Sequence, residues 1–205
     1  MTTLRVGLGQ VAPQLGMVDD NLATHRRVID EARARGIDLL VFPELGLTGY
    51  LLQDLNSEVA MRADDQRLAQ LGKAGGDMSV VLGFVEESDD HQLYISAALF
   101  EGGELRHVYR KSYLPNYGLF DERRFFGAGT QIRAVDSRLG VRLGISICED
   151  FWHLPTPYLL ALDGAQVLIN IASSPGRGCF CSGKGGVAPA SRGSSSCVVE
   201  FESGR

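Results

Sequence analysis

Cysteine is scarce in this sequence, and its placement argues against two common uses of the residue. Among 205 residues, Cys179, Cys181 and Cys197 lie near the C-terminus, and only Cys148 lies elsewhere. This spacing is not that of a disulfide framework, so we expect reduced thiols. The three grouped cysteines also lack the fourth thiolate or nearby histidine that would close a zinc site, so no metal site is predicted.

Long basic runs and long apolar runs are absent as well. The formal net charge is -5 and no sustained run of Lys or Arg occurs, which argues against nucleic acid or an anionic membrane as a partner. No run approaches the roughly 18 apolar residues that span a bilayer, and the N-terminus lacks the apolar region of a secretion signal. We therefore expect a cytoplasmic protein with a small-molecule partner.

The order of the apolar segments predicts a single α/β domain. With 44% hydrophobic residues, the chain is long enough for one core but short for two. Strands are predicted over residues 4–10, 38–42, 79–85, 92–100, 104–111, 131–135, 141–147 and 166–171. Helices are predicted over 21–35, 57–72 and 157–162, and the second should bury Val59, Met61, Leu68 and Leu71. Alternating strands and helices indicate a layered α/β domain.

Turn residues and loops add detail to this outline. Glu101-Gly102-Gly103 has the composition of an antiparallel hairpin turn, so the sheet should be mixed. Residues 112–130 form a long loop rich in Tyr, Phe and Gly, which favours a binding role. Residues 176–205 are dominated by Gly and Ser, so we expect a folded domain over 1–175 and a disordered or altered tail.

Three predicted strands end on chemically active side chains. Cys148 follows the apolar segment 141–147, Glu44 follows 38–42 and Pro43, and Lys111 ends 104–111. A nucleophilic cysteine needs its pKa lowered, and the charge of Lys111 could do this. Glu44 would be the general base. Taken singly, each also has a structural interpretation: a buried inert thiol, a solvated loop carboxylate and a surface lysine.

Three segments taken together resemble a known family. They are 42–50 (FPELGLTGY), 109–117 (YRKSYLPNY) and 146–152 (SICEDFW), and they resemble, in the same order, the signature segments of the nitrilase superfamily of carbon-nitrogen hydrolases. The resemblance covers residues 4 to about 175. It implies a four-layer αββα sandwich with mixed sheets, here incomplete at its C-terminus because the superfamily continues past residue 175 with further strands and helices.

Within that superfamily, 47–55, 111–117 and 170–175 most resemble the glutaminase domains of glutamine-dependent NAD synthetases. The resemblance implies Cys148 as nucleophile, Glu44 as general base, Lys111 as stabiliser of the tetrahedral intermediate, Glu122 as a supporting carboxylate, and Tyr117 and Ser174 as contacts to glutamine. We further expect the backbone N–H of Glu149 to bind the oxyanion. No metal or organic cofactor is required by this chemistry.

The predicted function is therefore an amidase that releases ammonia from a primary amide, glutamine being the first candidate. The resemblance also implies a homo-oligomer, and an ammonia-using synthetase as a further partner, since no ATP-binding synthetase segment is found here. The alternative is a non-catalytic fragment or pseudoenzyme that acts as an oligomerisation module, which the missing closing portion of the sandwich motivates.

Overall fold

The protein folds into two β-sheets packed face to face, with helices on the outer faces. The structure, a computed structural model, describes residues 3–173 and 196–201. The strands are β1 (Val6–Leu8), β2 (Leu39–Val41), β3 (Ser79–Glu87), β4 (Leu93–Glu101), β5 (Glu104–Arg110), β6 (Ala134–Asp136), β7 (Arg142–Ile147), β8 (Val167–Ala172) and β9 (Ser196–Phe201). The helices are α1 (Val18–Ala34), α2 (Asn56–Val59), α3 (Gln66–Gly75), α4 (Glu122–Phe125) and α5 (Pro155–Leu162).

The first sheet has the strand order β1-β2-β3-β4-β5. β1, β2 and β3 are parallel, whereas β4 and β5 are antiparallel additions. Gly102 and Gly103 form the two-residue turn between β4 and β5, with φ angles of 61° and 81°. Positive φ at both central residues is what such a turn requires, so the predicted hairpin and the mixed sheet are confirmed.

The second sheet has the strand order β6-β7-β8-β9. β7 and β8 are parallel, and α5 lies between them in the chain. β6 pairs antiparallel with β7, and the backbone of β9 pairs antiparallel with β8. The remainder of the predicted tail lies outside the described residues.

The buried apolar residues in the described part of the chain form three clusters, and these clusters define the layers of the fold. One core cluster joins residues of β2 to β5 with residues of β7 and β8, so it lies between the two sheets. A second cluster joins α1 and α3 to the opposite face of the first sheet. A smaller one packs Leu160 of α5 near β6. Helix, sheet, sheet and helix thus form the four-layer sandwich that the resemblance implied.

The predicted helix over 57–72 is wrong at its centre. The chain forms α2, leaves helical geometry at Ala60 and resumes only at α3, which Asp65 caps by accepting from the N–H of Arg67 at 2.7 Å. Between them, Met61 joins the edge of β3: its N–H donates to Val85 O at 2.9 Å, and Glu87 N–H donates to Met61 O at 3.0 Å. Tertiary backbone pairing therefore outweighs local helix propensity here.

The predicted loop over 112–130 is interrupted by α4, a single helical turn that carries Glu122. Among the residues described, every helix is too short or too polar to cross a bilayer.

Candidate active site

Glu44, Lys111 and Cys148 lie just beyond the ends of three different strands. Glu44 follows β2 and Lys111 follows β5, both in the first sheet, whereas Cys148 follows β7 in the second sheet. The three side chains meet where the two sheets face each other. The structure therefore brings together residues that are remote in the chain.

The loop that carries Glu44 packs directly on the backbone of β3. A Cβ atom added at Gly83 would lie 2.4 Å from the Pro43 carbonyl oxygen and 2.9 Å from the Glu44 Cα. Real Cβ atoms do not approach so closely, so only glycine fits at this position of β3. The glycine thus lets the loop that carries Glu44 lie directly against β3, and the exposed fraction of Glu44 is 0%.

Ser173, which follows β8, holds Glu44 from the second sheet. Its backbone N–H donates to Glu44 Oε2 at 3.0 Å, and its hydroxyl donates to the Glu44 carbonyl oxygen at 2.5 Å. The neighbouring Ser174, predicted to contact the substrate, lies outside the described residues.

Lys111 forms two buried ion pairs. Its Nζ lies 2.7 Å from Glu44 Oε1 and 2.8 Å from Glu122 Oε1, and the Lys111 side chain is fully buried. Burial alone would lower the pKa of Lys111, but the charges of Glu44 and Glu122 outweigh it and raise that pKa. Lys111 is therefore a permanent cation within the site.

Glu122 completes this arrangement. Burial raises the pKa of Glu122 to about 7, the charge of Glu44 acts in the same direction, and Lys111 opposes both. Oε1 of Glu122 accepts hydrogen bonds from Lys111 and from the Tyr50 hydroxyl. Oε2 is buried and has no hydrogen-bond partner within the described part of the chain. An oxygen without a partner favours partial protonation of this carboxyl near neutral pH.

Cys148 occupies a sharp turn between β7 and a 3₁₀ helix over Cys148–Trp152. Its φ of 48° lies in the left-handed region, which is strained for a residue with a side chain. The thiol lies close enough to the Glu44 carboxylate for the charge of Glu44 to raise the pKa of the thiol. A sharp strand-to-helix turn of this kind can hold a side chain rigidly and leave it exposed to a reacting group.

The charge of Lys111 acts on Cys148 in the expected direction, but the expectation that the thiol has a lowered pKa is corrected by its surroundings. Burial and the negative charge of Glu44 raise the pKa of the thiol well above its usual value, and Lys111 opposes them only in part. At neutral pH the sulfur is thus a neutral thiol beside a carboxylate. Such a thiol reacts only if the neighbouring base removes its proton during attack.

Asp150, two residues after Cys148, is fully buried and connects the two sheets. Its Oδ1 accepts from the N–H groups of Ser112 and Tyr113 at 3.0 and 2.7 Å. Its Oδ2 accepts from the Tyr109 hydroxyl at 2.9 Å and from the Ile147 N–H at 3.1 Å. The segments that carry Lys111 and Cys148 therefore share one carboxylate.

A polar and aromatic cluster lies beside Cys148. The Tyr117 hydroxyl donates to Glu149 Oε2 at 2.8 Å, and His153 Nε2 lies 3.3 Å from Glu149 Oε1. The His153 ring stacks on Tyr113 with 4.0 Å between centroids. Tyr117 itself is 58% exposed, so this cluster faces solvent and can meet an incoming ligand.

Sequence reasoning named Glu44, Lys111, Cys148 and Glu122 and missed three residues that hold them. Tyr50, Ser173 and Asp150 all lie inside or beside the quoted segments. Nothing in their residue types distinguishes a buried hydrogen-bonding role from an exposed one. Only the pairing of the two sheets shows which polar groups they reach.

Comparison with known proteins identifies a matching family model and similar sequences. A family model described as carbon-nitrogen hydrolase matches residues 5–183. A glutamine-dependent NAD(+) synthetase of Thermotoga maritima is 38% identical over 182 residues, covering 85% of this chain and 31% of the relative. One from Acinetobacter baylyi is 34% identical over 175 residues, covering 85% and 32%. The chain thus spans about a third of the length of these relatives.

Solved structures of similar proteins have the same fold. A glutamine-dependent NAD+ synthetase of Acinetobacter baumannii, in complex with ADP, superposes with a TM-score of 0.75 at 33% identity, covering 85% of this chain and 33% of that one. An amidase from Nesterenkonia superposes with a TM-score of 0.76 at 26% identity, covering 85% and 66%.

Proposed function

Because this chain belongs to the carbon-nitrogen hydrolase family, we propose that it is an amidase that hydrolyses the side-chain amide of glutamine through a thioester on Cys148. One observation carries the proposal: the Cys148 thiol lies within the influence of the buried carboxylate of Glu44, which is itself ion-paired with the Lys111 ammonium at 2.7 Å. The three proposed catalytic groups are thereby grouped together before any substrate arrives.

Acylation begins with the neutral thiol. Glu44 accepts the thiol proton as the sulfur attacks the amide carbon, so no free thiolate accumulates. The proton then passes from Glu44 to the leaving nitrogen. The C–N bond breaks, ammonia departs and the acyl group remains on sulfur as a thioester.

The oxyanion of the tetrahedral intermediate needs donors that are already in place. Two of the three N–H bonds of Lys111 are used by Glu44 and Glu122. In our proposal the third donates to the oxyanion together with the backbone N–H of Glu149. Because the Lys111 ammonium is buried, its charge acts at low effective dielectric, where it stabilises the oxyanion more than it would in water.

Deacylation reuses the same base. Glu44 accepts a proton from water, the hydroxide oxygen attacks the thioester carbon, and the C–S bond breaks to release the carboxylic acid. The sulfur takes the proton back from Glu44, which restores the resting thiol. Neither step calls for a metal or an organic cofactor.

Glutamine is the proposed substrate because of the cluster beside the nucleophile. The carboxylate of Glu149, which Tyr117 and His153 hold in place, offers a negative charge to the α-ammonium of an amino acid. The relatives named for glutamine-dependent NAD synthesis support this choice. By the same likeness we propose that an ammonia-using synthetase unit consumes the product and that the working protein is a cytoplasmic homo-oligomer.

An ammonia-release screen tests the proposal. Glutamine, asparagine, simple amides and nitriles should be compared for wild type and Cys148→Ala, and we expect glutamine to be preferred and the variant to be inactive. Glu149→Gln should raise KM for glutamine but leave KM for 4-carbamoylbutanoate, which lacks the α-ammonium, unchanged. Hydrolysis that survives Cys148→Ala would exclude the thioester route, and silence of the wild type toward all amides would favour the non-catalytic alternative.

A further inference from the structure

Asp150 accepts four hydrogen bonds, and all four come from residues within two positions of Lys111 or Cys148. Three come from residues that flank Lys111: the Tyr109 hydroxyl and the N–H groups of Ser112 and Tyr113. The fourth comes from the N–H of Ile147, the residue before Cys148. Asp150 itself touches neither the thiol nor the ammonium in any of these contacts.

Two backbone hydrogen bonds hold Lys111 within the first sheet. Its N–H donates to Ile95 O at 2.9 Å, and its carbonyl accepts from Gly129 N–H at 2.8 Å. Both bonds fix Lys111 to β4 and the adjoining loop, and neither of them reaches the strand that carries Cys148. Asp150 links this part of the first sheet to the turn at the end of β7.

We propose that Asp150 is a positioning residue that sets the distance between the Lys111 ammonium and the Cys148 thiol by holding the backbone beside each of them. The inference rests on the proposed function for its kinetic consequence, but its geometric consequence does not depend on the substrate. A charged acceptor suits the role because all four partners are donors, and bonds to an ionised acceptor are roughly twice as strong as neutral ones.

Asp150→Asn is the direct test. The amide has nearly the same shape as the carboxylate, but its nitrogen cannot accept, so the donors that face that atom lose their acceptor. The Lys111 and Cys148 segments should then separate. We expect kcat for glutamine to fall by about 10²-fold with KM nearly unchanged, since small misplacements of reacting groups cost rates of this order.

A matched control is available in Glu101. It is 2% exposed and also connects the two sheets, accepting from the hydroxyls of Ser79 and Ser137 at 2.8 and 2.7 Å. It lies six residues beyond Ile95 along β4, which is about 20 Å from the Lys111 contact. Glu101→Gln should lower the melting temperature but leave kcat of the folded protein unchanged. Equal kcat losses in both variants would mean that Asp150 is only structural and would overturn the proposal.

Tyr109→Phe covers the case in which Asp150→Asn does not fold. It deletes one of the four bonds and keeps the ring that packs in the core between the sheets. We expect a loss of kcat of about threefold to tenfold, smaller than that of Asp150→Asn because three of the four bonds to the carboxylate remain. Wild-type kcat in folded Tyr109→Phe would overturn the proposal.

Thiol reactivity separates this inference from the proposed function. Alkylation of Cys148 by iodoacetamide, followed by peptide mass spectrometry from about pH 6 to 10, reports how strongly Lys111 favours the thiolate. We expect the profile of Asp150→Asn to move to higher pH and that of Glu101→Gln to match wild type. If the wild type hydrolyses no amide, the proposed function fails, and this shift still supports the positioning role. Superimposable profiles for all three proteins would overturn it.

Discussion

The Nζ atom of Lys111 lies 2.7 Å from Oε1 of Glu44, and both side chains have no exposed surface. A lone buried charge would be too costly to retain, so each of these groups depends on the other. Glu122 adds a second carboxylate to the same ammonium at 2.8 Å. The stability of the fold and the chemistry of the site are consequently linked through one cation.

Lys111→Met should be strongly destabilising as well as inactive. The substitution keeps most of the volume but leaves Glu44 and Glu122 buried without a cation, which typically costs about 3 to 5 kcal/mol in the free energy of unfolding. Urea unfolding followed by circular dichroism measures this. Arg27→Met is the control, because Arg27 and Glu31 form an exposed pair on α1 whose loss should cost less than about 1 kcal/mol. Equal stability of the two variants would contradict the account.

The pH dependence of stability should carry a contribution from Glu122. Its pKa in the folded state is about 7, above its ordinary value of 4.5, so between these values the folded state binds more protons than the unfolded one. The contribution of this group to the free energy of unfolding therefore falls as pH rises from about 4.5 to 7. Glu122→Gln should remove that fall from the pH profile of the melting temperature, whereas Glu31→Gln on exposed α1 should retain it.

Glu44→Gln should affect turnover and thiol acidity in opposite directions. Loss of the base should abolish hydrolysis, while loss of its negative charge should lower the pKa of Cys148, because that charge is the second largest cause of the raised value. Peptide mass spectrometry after iodoacetamide treatment should show faster alkylation of Cys148 than in wild type at the same pH. An unchanged or slower rate would mean that Glu44 does not control the thiol.

Gly83→Ala should displace Glu44, the proposed general base, by pushing on the backbone that carries it. The new Cβ would meet the Pro43 carbonyl oxygen at 2.4 Å, so the loop or β3 must move, at a cost of about 1 to 3 kcal/mol in stability. We expect a loss of kcat in the folded protein as well. Gly7→Ala in β1 is the milder control, because its nearest contacts are side-chain atoms of Ile37 and Leu40 at 3.2 Å.

The sequence predicts those segments of the fold that a local pattern determines. It does not predict segments whose structure depends on pairing with distant parts of the chain. The strand ends at Glu44, Lys111 and Cys148 were predictable, because apolar runs that stop on polar residues are local signals. The break in the predicted helix over 57–72 was not predictable. Met61 was correctly expected to be buried and is 1% exposed, but it is buried in backbone pairing with β3, and no local breaker marks the change.

The electrostatics of the site were the least predictable feature. A lysine near a cysteine is expected to lower the pKa of the thiol, yet burial of Cys148 and the negative charge of Glu44 together raise that pKa by more than Lys111 lowers it. Likewise, Asp150 stands two residues from Cys148 in the chain, but its partners Tyr109, Ser112 and Tyr113 are about 40 residues away, and only the meeting of the sheets joins them.

The most direct test of the account is to trap the covalent intermediate. Wild-type protein mixed with glutamine and quenched rapidly in acid should gain the mass of glutamine less ammonia, and peptide mapping should place that group on Cys148. Lys111→Met and Glu44→Gln should accumulate far less of it. Steady ammonia release with no acyl group on Cys148, under conditions that preserve thioesters, would contradict the central claim.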